Sequence, residues 1–383
     1  MNRPRRLLTV GHSYTVALNR RLPHEIARVS AGKWEVTCAA PSFVHGDLRP
    51  IPLEHFPDEA SRLVPVSAYF TRRPHVMLYG RSLCRLAAKP WDIIHAWEEP
   101  FVLAGGQLAW LAHGRPLVYY TFQNISKRYP PPFCWVERFA MNRATAWLAA
   151  GHTVEAALQD RPGYANRPHR VIPLGVDVDV FRPDPLAGAS VRRQLGWTDP
   201  GPPVIGFLGR FIPEKGLAVL RNALAAIHTP WRALFVGGGP LEGPLRAWAA
   251  RFPANVRVIT SVPHDAVPRY LNAMDILAAP SQTTPRWKEQ LGRMLIEAMA
   301  CGVVVVGSDS GEIPAVIGDA GIVLPEADSA AWAATLAELL ENPGRRAELS
   351  AAGLARAQIV FAWPVIARQH LAFFDKLLDT GTG

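Results

Sequence analysis

Two carboxylates eight residues apart, Glu289 and Glu297 in RWKEQLGRMLIEAMACGVVVVGS, stand in a stretch that does not suit charge. Leu291, Met294, Leu295, Ile296, Met299 and Val303 to Val306 lie between and around them. A carboxylate in apolar surroundings is costly unless a counter-charge or hydrogen-bond donors meet it, and a ligand carrying hydroxyl groups is one such partner. The run RMLIEAMACG reads as a helix ended by Gly302. Glu289 is therefore expected in the loop before that helix and Glu297 inside it. Backbone N–H groups near Leu291 and Gly292, at the helix start, would point at an anion. A ligand with a phosphate between two sugars would use all three features.

A second group of candidates lies in GFLGRFIPEKGLAVLRNAL. An apolar strand ends in Gly209 and Arg210, and a short loop carries Lys215 into a helix. An Arg and a Lys at a strand's carboxyl end, beside a helix N-terminus, suit a diphosphate. The other reading of the same loop is a surface turn with two solvated cations. LFVGGGPLEG is a tight strand-to-helix turn, but Glu242 stands where a GxGxxG fingerprint starting at Gly237 needs its last glycine. By itself it marks only a Rossmann-like turn.

These residues must be positioned by elements, and the apolar pattern supplies them. Strand-like runs RLLTVG, WEVTCAA, DIIHAW, LVYYTF and TAWLAAG alternate in the first half with helices expected over 13–28, 101–112 and 136–142. The second half repeats the scheme, with VIGFLGR, RALFVGG, NVRVITS, MDILAAP and GVVVVGS as strands. Helices there are expected over 216–226, 240–251, 265–272 and 292–300. Alternation of this kind predicts parallel sheets covered by helices, and two such sets predict two Rossmann-like domains. The prolines and glycines of FRPDPLAGASVRRQLGWTDPGPP suit a linker between them. The tail AAWAATLAELLENPGRRAELSAAGLARAQ is strongly helical, and WPVIARQHLAFFDKLL adds one more amphipathic helix.

Taken together, the second-half motifs resemble the nucleotide-sugar-binding half of a family 4 retaining glycosyltransferase of GT-B fold. EQLGRMLIE carries the family's E-x7-E pattern as Glu289 and Glu297. The GR…EKG loop, GGGPL, SVPHDAVPRYLNAMDILAAPS, GSDSGEIPAVIGDAGIVL and VIPLGVDVDVFRP follow in the family's order. The resemblance covers about residues 170 to 325 closely. It implies two Rossmann-like domains facing a cleft. Residues 1–180 would bind the acceptor and residues 181–361 the nucleotide sugar, with the helix over 362–380 packing back on the first domain. It also implies roles. Glu289 would contact the donor sugar near the reacting carbon and Glu297 the ribose. Arg210, Lys215 and the Leu291 and Gly292 N–H groups would hold the diphosphate beside Gly209. Val262 and Pro263 would lie against the base. Such enzymes need no metal, so no cofactor is expected beyond the nucleotide-sugar co-substrate.

The first half resembles the family more loosely. In LLTVGHSYTVALNRRL, Gly11, His12 and Ser13 would face the cleft, although the paired glycines of many relatives are missing. WDIIHAWEEP resembles a cleft-facing strand end, with His95 either in the cleft or structural. In LVYYTFQNISKRYPPPF, Gln123, followed by Asn124, stands where many members carry a histidine near the donor sugar. Glutamine hydrogen-bonds a hydroxyl but takes no proton from it.

The whole chain sets outer limits. At 383 residues, 49% hydrophobic and 19% charged, it reads as a globular chain long enough for two cores. No run is long enough to span a bilayer, and LLTVG after the basic start is too short for a signal peptide. Four scattered cysteines form no metal framework and fit a reducing compartment. Residues 1–175 hold 22 Lys+Arg against 12 Asp+Glu, so this part alone carries the +9 excess of the chain. Arg3, Arg5, Arg6, Arg20, Arg21, Arg72, Arg73, Arg81 and Arg85 are its clusters. This surface suits an anionic membrane or phosphorylated acceptor, or is simply solvated. No aromatic-basic motif supports nucleic-acid binding. The expected function is transfer of a hexose to a hydroxyl of a glycan, glycolipid or lipid-linked acceptor. The expected place is the cytoplasm, at the inner face of the membrane if the acceptor is a lipid. A non-catalytic nucleotide-sugar-binding subunit and another GT-B enzyme such as an epimerase are the alternatives.

Overall fold

A computed structural model describes residues 3–45, 50–197 and 200–380. The chain forms two units. The first runs to Pro173 and resumes at Trp363, and the second spans Leu174–Ala362. No helix among the described residues is long and apolar enough to cross a membrane.

The first unit is built on seven parallel strands: β1 (Arg5–Val10), β2 (Trp34–Pro41), β3 (Arg62–Val66), β4 (Ile93–Ala96), β5 (Leu117–Thr121), β6 (Ala146–Ala149) and β7 (His169–Val171). Their order is β7-β6-β5-β4-β1-β2-β3. The chain steps from β1 to β2 and β3 on one side, then returns to β4 on the other. The crevice outside the carboxyl ends of β1 and β4 is therefore the switch point where α/β sheets bind ligands. One face is covered by α1 (Arg21–Val29) and the final helix (Trp363–Thr380), which lie against each other. Phe374 and His370 of that helix are fully buried. The Arg5 guanidinium pairs with Asp375 and, at 2.6 Å, with Asp379. The indole of Trp34 donates to Asp375 at 3.2 Å.

The second unit has six parallel strands: β8 (Val204–Arg210), β9 (Arg232–Gly238), β10 (Val256–Ile259), β11 (Ile276–Ala279), β12 (Val304–Ser308) and β13 (Ile322–Leu324). Their order is β10-β9-β8-β11-β12-β13, so the switch point lies between β8 and β11. Alternation along the strands divides the core in two. Ile205, Phe207, Ala233, Phe235, Ile276, Ala278, Val304 and Val306 enter one cluster. Val204, Leu234, Val236, Leu277, Ala279 and Val305 enter the other. A sheet covered on both faces needs apolar residues at every position, which is why these strands read as continuous hydrophobic runs.

Two sequence expectations are corrected here. The stretch over 181–203 is not an open linker. It contains α2 (Pro185–Gln194), with the Asp184 carboxylate accepting from Ala187 N–H at 2.9 Å and Pro185 at the first helical position. Gly188 lies so close to the Asn272 carbonyl that an added Cβ would stand 2.1 Å from it, so the helix is docked on the second unit. Thr198 and Asp199 lie outside the described residues. The long helical tail is two helices, Ser329–Glu341 and Pro343–Arg356, because Asn342 caps the second and Pro343 cannot continue the first.

Candidate active site

In the second unit the strand ends converge on one cavity. β8 delivers Gly209 and Arg210, and a turn carries Lys215 to α3 (Leu217–Ala226). Gly216 makes that turn with φ +69°, and a Cβ there would stand 1.7 Å from the Pro280 carbonyl oxygen. Only glycine lets the loop after β8 close on the loop after β11. Glu289 lies in that second loop, before α4 (Arg293–Ala300), whose N-cap is Gly292 with φ 58°.

Arg210, Lys215, Trp287, Glu289, Arg293 and Glu297 all line a cavity of about 590 Å³. This brings together the four charged residues singled out from the sequence, with Gly209 on the same wall. Glu289 accepts from the Lys215 ammonium at 2.5 Å and from the Ser281 hydroxyl at 2.8 Å. Its own carbonyl accepts from Glu312 N–H at 3.0 Å. Glu289 therefore has partners inside the chain as well as a place on the cavity wall. Glu297 better fits the expectation that ligand hydroxyls meet the acids. It is 6% exposed, and its carboxylate has no hydrogen-bond donor among the described residues. Burial pushes its pKa up to about 7, with the charge of Arg293 opposing.

The cations are disposed differently. Lys215 is nearly buried, with its ammonium 5.3 Å from the centre of the Trp287 ring. Arg210 is exposed, and its guanidinium has no ion-pair partner among the described residues. The N–H groups of Leu291 and Gly292 likewise have no acceptor among them. The cavity therefore carries three cations, Arg210, Lys215 and Arg293, and two acids, with Gln290 and Arg293 bringing the start of α4 to its wall although Leu291 and Gly292 do not line it, an arrangement fit for a polyhydroxylated diphosphate. Val262 and Pro263 are not on its wall. Val262 packs on the apolar core instead, and His264 and Val267 take the lining position. Trp287, Ser281 and Arg293 escaped sequence reasoning. Trp287 is the one with a signal, an aromatic two residues before Glu289.

The first unit gathers polar groups at the ends of β1, β4 and β5. The turn after β1 starts at Gly11 and presents His12 and Ser13. Glu98, after β4, clamps that turn. One carboxylate oxygen accepts from His12 N–H at 2.7 Å and from the Tyr79 hydroxyl at 2.5 Å, and the other meets His12 Nδ1 at 2.8 Å. The Glu98 side chain is 1% exposed and that of His12 38%. The Glu98 charge raises the His12 pKa above its ordinary value, against the effect of burial. Glu99 accepts from the Thr121 hydroxyl and from Phe122 N–H, and burial pushes its pKa up to about 7. Gln123 follows, donating to the Ile125 carbonyl at 2.8 Å, and Asn124 is buried.

His95 is corrected to a core residue. It is 1% exposed, with Nδ1 2.9 Å from the Thr9 hydroxyl and its ring against His370 and Phe374 of the final helix. Glu98, Glu99, Tyr79 and Thr121 were missed. The adjacent acids of WDIIHAWEEP, at the end of an apolar strand, were the available sign.

The comparisons agree with this architecture. The family described as Glycosyl transferases group 1 matches residues 202–342, and Glycosyltransferase Family 4 matches residues 21–180. A D-inositol 3-phosphate glycosyltransferase of Salinispora arenicola is 32% identical over 320 residues, covering 74% of this chain and 68% of its own. A GDP-mannose-dependent monoacylated alpha-(1-6)-phosphatidylinositol monomannoside mannosyltransferase of Corynebacterium glutamicum is 35% identical over 51% of this chain and 53% of its own. The chain spans about half the length of the first such relatives it matches. Among solved structures, Anabaena Alr3699/HepE in complex with UDP superposes with a TM-score of 0.74 at 19% identity, over 97% of this chain and 100% of that one. The fold is GT-B. The chain belongs to the family 4 glycosyltransferases.

Proposed function

We propose that this protein is a retaining glycosyltransferase that moves a hexose from a nucleoside-diphosphate sugar to a hydroxyl of a glycan, glycolipid or lipid-linked acceptor. The observation that carries the reading is the single cavity holding Arg210, Lys215, Glu289 and Glu297 at the switch point of the second unit. In it the diphosphate would lie between Arg210, Lys215 and the Leu291 and Gly292 N–H groups. Glu297 would accept from the ribose hydroxyls. Glu289, aimed by Ser281 and Lys215, would hold the sugar's hydroxyls near the reacting carbon.

In the reaction, the bond between the sugar's anomeric carbon and the diphosphate oxygen breaks as the acceptor oxygen bonds to that carbon. Its electron pair leaves with the diphosphate, whose oxygen takes up the proton released by the acceptor hydroxyl. Negative charge develops where the two cations and the helix terminus sit, and fixed groups of that kind are the strongest aid to such a step.

The first unit is read as the acceptor side. The Glu98 charge raises the His12 pKa and burial raises that of Glu99 to about 7, so Gln123 does not leave that side without proton-bearing groups. The mannosyltransferase and inositol phosphate relatives support a phosphate-bearing or glycolipid acceptor and place GDP-mannose first among donors to try. With such an acceptor the enzyme would work at the inner surface of the membrane.

The test is release of nucleoside diphosphate from UDP-, GDP- and ADP-sugars, with and without extracted membrane lipids. We expect release with one donor, stimulated by lipids and reduced at least about 100-fold in Glu289→Ala. The anomeric configuration of the product, read by NMR, decides retention. Donor binding without release under every condition would favour the non-catalytic subunit.

A further inference from the structure

One built feature of the first unit has no part in the chemistry above. Two short antiparallel ladders, Phe43–His45 with Pro50–Pro52 and Ala68–Tyr69 with Leu78–Tyr79, stand beside the main sheet. A groove of about 660 Å³ is lined by residues of both, including Phe43, Tyr69, Phe70, Val76, Leu78 and Leu103. Three of these rings are left in water: Phe43 is 46% exposed, Tyr69 57% and Phe70 68%. Clustered bare aromatics of this kind mark a binding surface.

Phe70 is also held at φ 59°, in the left-handed region that a bulky residue adopts only under constraint. Its backbone is strained and its ring is unburied, so neither feature helps the free protein. Strain kept at such a position points to a ligand.

Charge narrows the ligand. Among the arginine clusters of this unit, Arg3 meets Asp92, Arg5 meets Asp375 and Asp379, Arg6 meets Glu35, Arg20 meets Glu59 and Arg21 meets Glu25. Arg72, Arg73, Arg81 and Arg85 are exposed and have no ion-pair partner among the described residues, and of these Arg72 and Arg73 line the groove. Adjacent guanidinium groups beside an apolar groove match an amphiphile with a hydrocarbon chain and a phosphate. An apolar protein segment would use the groove but not the arginines.

The groove is also joined to the acceptor-side cluster. Leu78 and Tyr79 are consecutive on one strand, so their side chains leave on opposite faces. Leu78 lines the groove, while the Tyr79 hydroxyl reaches Glu98, the clamp of His12.

We propose that this groove binds the hydrocarbon chain of a phosphate-bearing amphiphilic acceptor, with the phosphate at Arg72 and Arg73. The source of the chain rests on the acceptor-side reading of the first unit; the binding itself does not.

The test is titration of the full chain with octyl and dodecyl phosphate, both kept monomeric, by calorimetry. Each methylene buried tightens binding roughly fourfold, so dodecyl phosphate should bind at least about tenfold tighter than octyl phosphate. Phe70→Gly suits the left-handed backbone, so the melting temperature should not fall while dodecyl phosphate affinity drops at least about tenfold. Arg72→Ser with Arg73→Ser should abolish the preference for dodecyl phosphate over dodecanol. Affinity independent of chain length, or unchanged in Phe70→Gly, overturns the proposal. So does binding only to vesicles of anionic lipid, which would make the patch a membrane seat, or occupation by a protein segment in place of the alkyl phosphate. Nucleotide release measured in parallel separates the two readings. Alkyl phosphate binding without turnover keeps the groove and removes the transferase, and turnover without alkyl phosphate binding does the reverse.

Discussion

At the scale of single residues, Glu289 and Glu297 are the same amino acid in opposite circumstances. Glu289 accepts from Lys215 and Ser281, whereas Glu297 is buried with no donor among the described residues, and burial raises its pKa to about 7. A carboxyl with a raised folded-state pKa contributes stability that is full below its unfolded value and is lost as pH rises through about 7. Glu297→Gln should therefore be about 3 kcal/mol more stable than the wild type at pH 8 and little different at pH 4. Urea unfolding at the two pH values checks this. The same variant should bind donor more weakly, because Gln offers the ribose one acceptor where the carboxylate offers two. Lys215→Ala has the opposite sign. It leaves Glu289 buried without its cation and should cost about 3 kcal/mol, read by the same method. The sequence made the placement of the acids legible, one in a loop and one in a helix. It did not reveal that Glu289 has partners inside the chain, because Lys215 comes from the exit of another strand and Ser281 from the far end of the same loop.

At the scale of elements, the final helix is the piece whose docking depends on pH. His370 and His95 face each other across its contact with the first sheet, with Tyr120 and Phe374 around them. Burial lowers both pKa values, that of His370 to about 4, with the charge of Arg170 acting in the same direction and its backbone hydrogen bond opposing. A histidine kept neutral in the fold makes the unfolded chain the better proton binder between about 4 and the ordinary value of 6.5. Stability is then full above 6.5 and falls as pH drops through that window. Loss of roughly 3 kcal/mol between pH 7 and pH 4 is expected from His370 alone. His370→Leu should shrink the loss by about 3 kcal/mol, and equal losses in both proteins would remove His370 as its origin. Elements were also where sequence patterning was most informative. Apolar runs such as VIGFLGR and GVVVVGS became β8 and β12 because both of their faces are covered. The short edge strands β3, β7 and β13 left no such run and passed unseen. The docked helix α2 was hidden by its prolines and glycines, although Asp184 and Pro185 spell a helix start. His95 was ambiguous because a residue at a strand end can serve either side of the sheet.

At the scale of the whole molecule, the two units are unequal in how the chain makes them. The second unit is one continuous segment, and the cavity with Arg210, Lys215, Glu289 and Glu297 lies wholly inside it. The first unit is interrupted and needs the returning helix to cover Trp34, His95 and Tyr120 with Phe374 and His370. Residues 174–362 expressed alone should thus unfold cooperatively and bind the donor within about tenfold of the full chain, since its own core and its own site are intact. They should show no transfer, since the acceptor-side groups are absent. Residues 1–173 alone should expose the apolar face that the final helix covers and aggregate. Co-expression with residues 363–383 should restore a folded species, because a segment held by packing and by non-covalent pairs such as Arg5–Asp379 and Trp34–Asp375 can return without a covalent link. Thermal unfolding followed by circular dichroism, with calorimetric titration of donor, checks all three pieces. A well-folded 174–362 fragment that fails to bind any nucleotide sugar would mean that the cavity is not a donor site by itself. Recovery of binding only when the first unit is present would then assign part of donor recognition to the turn that carries His12.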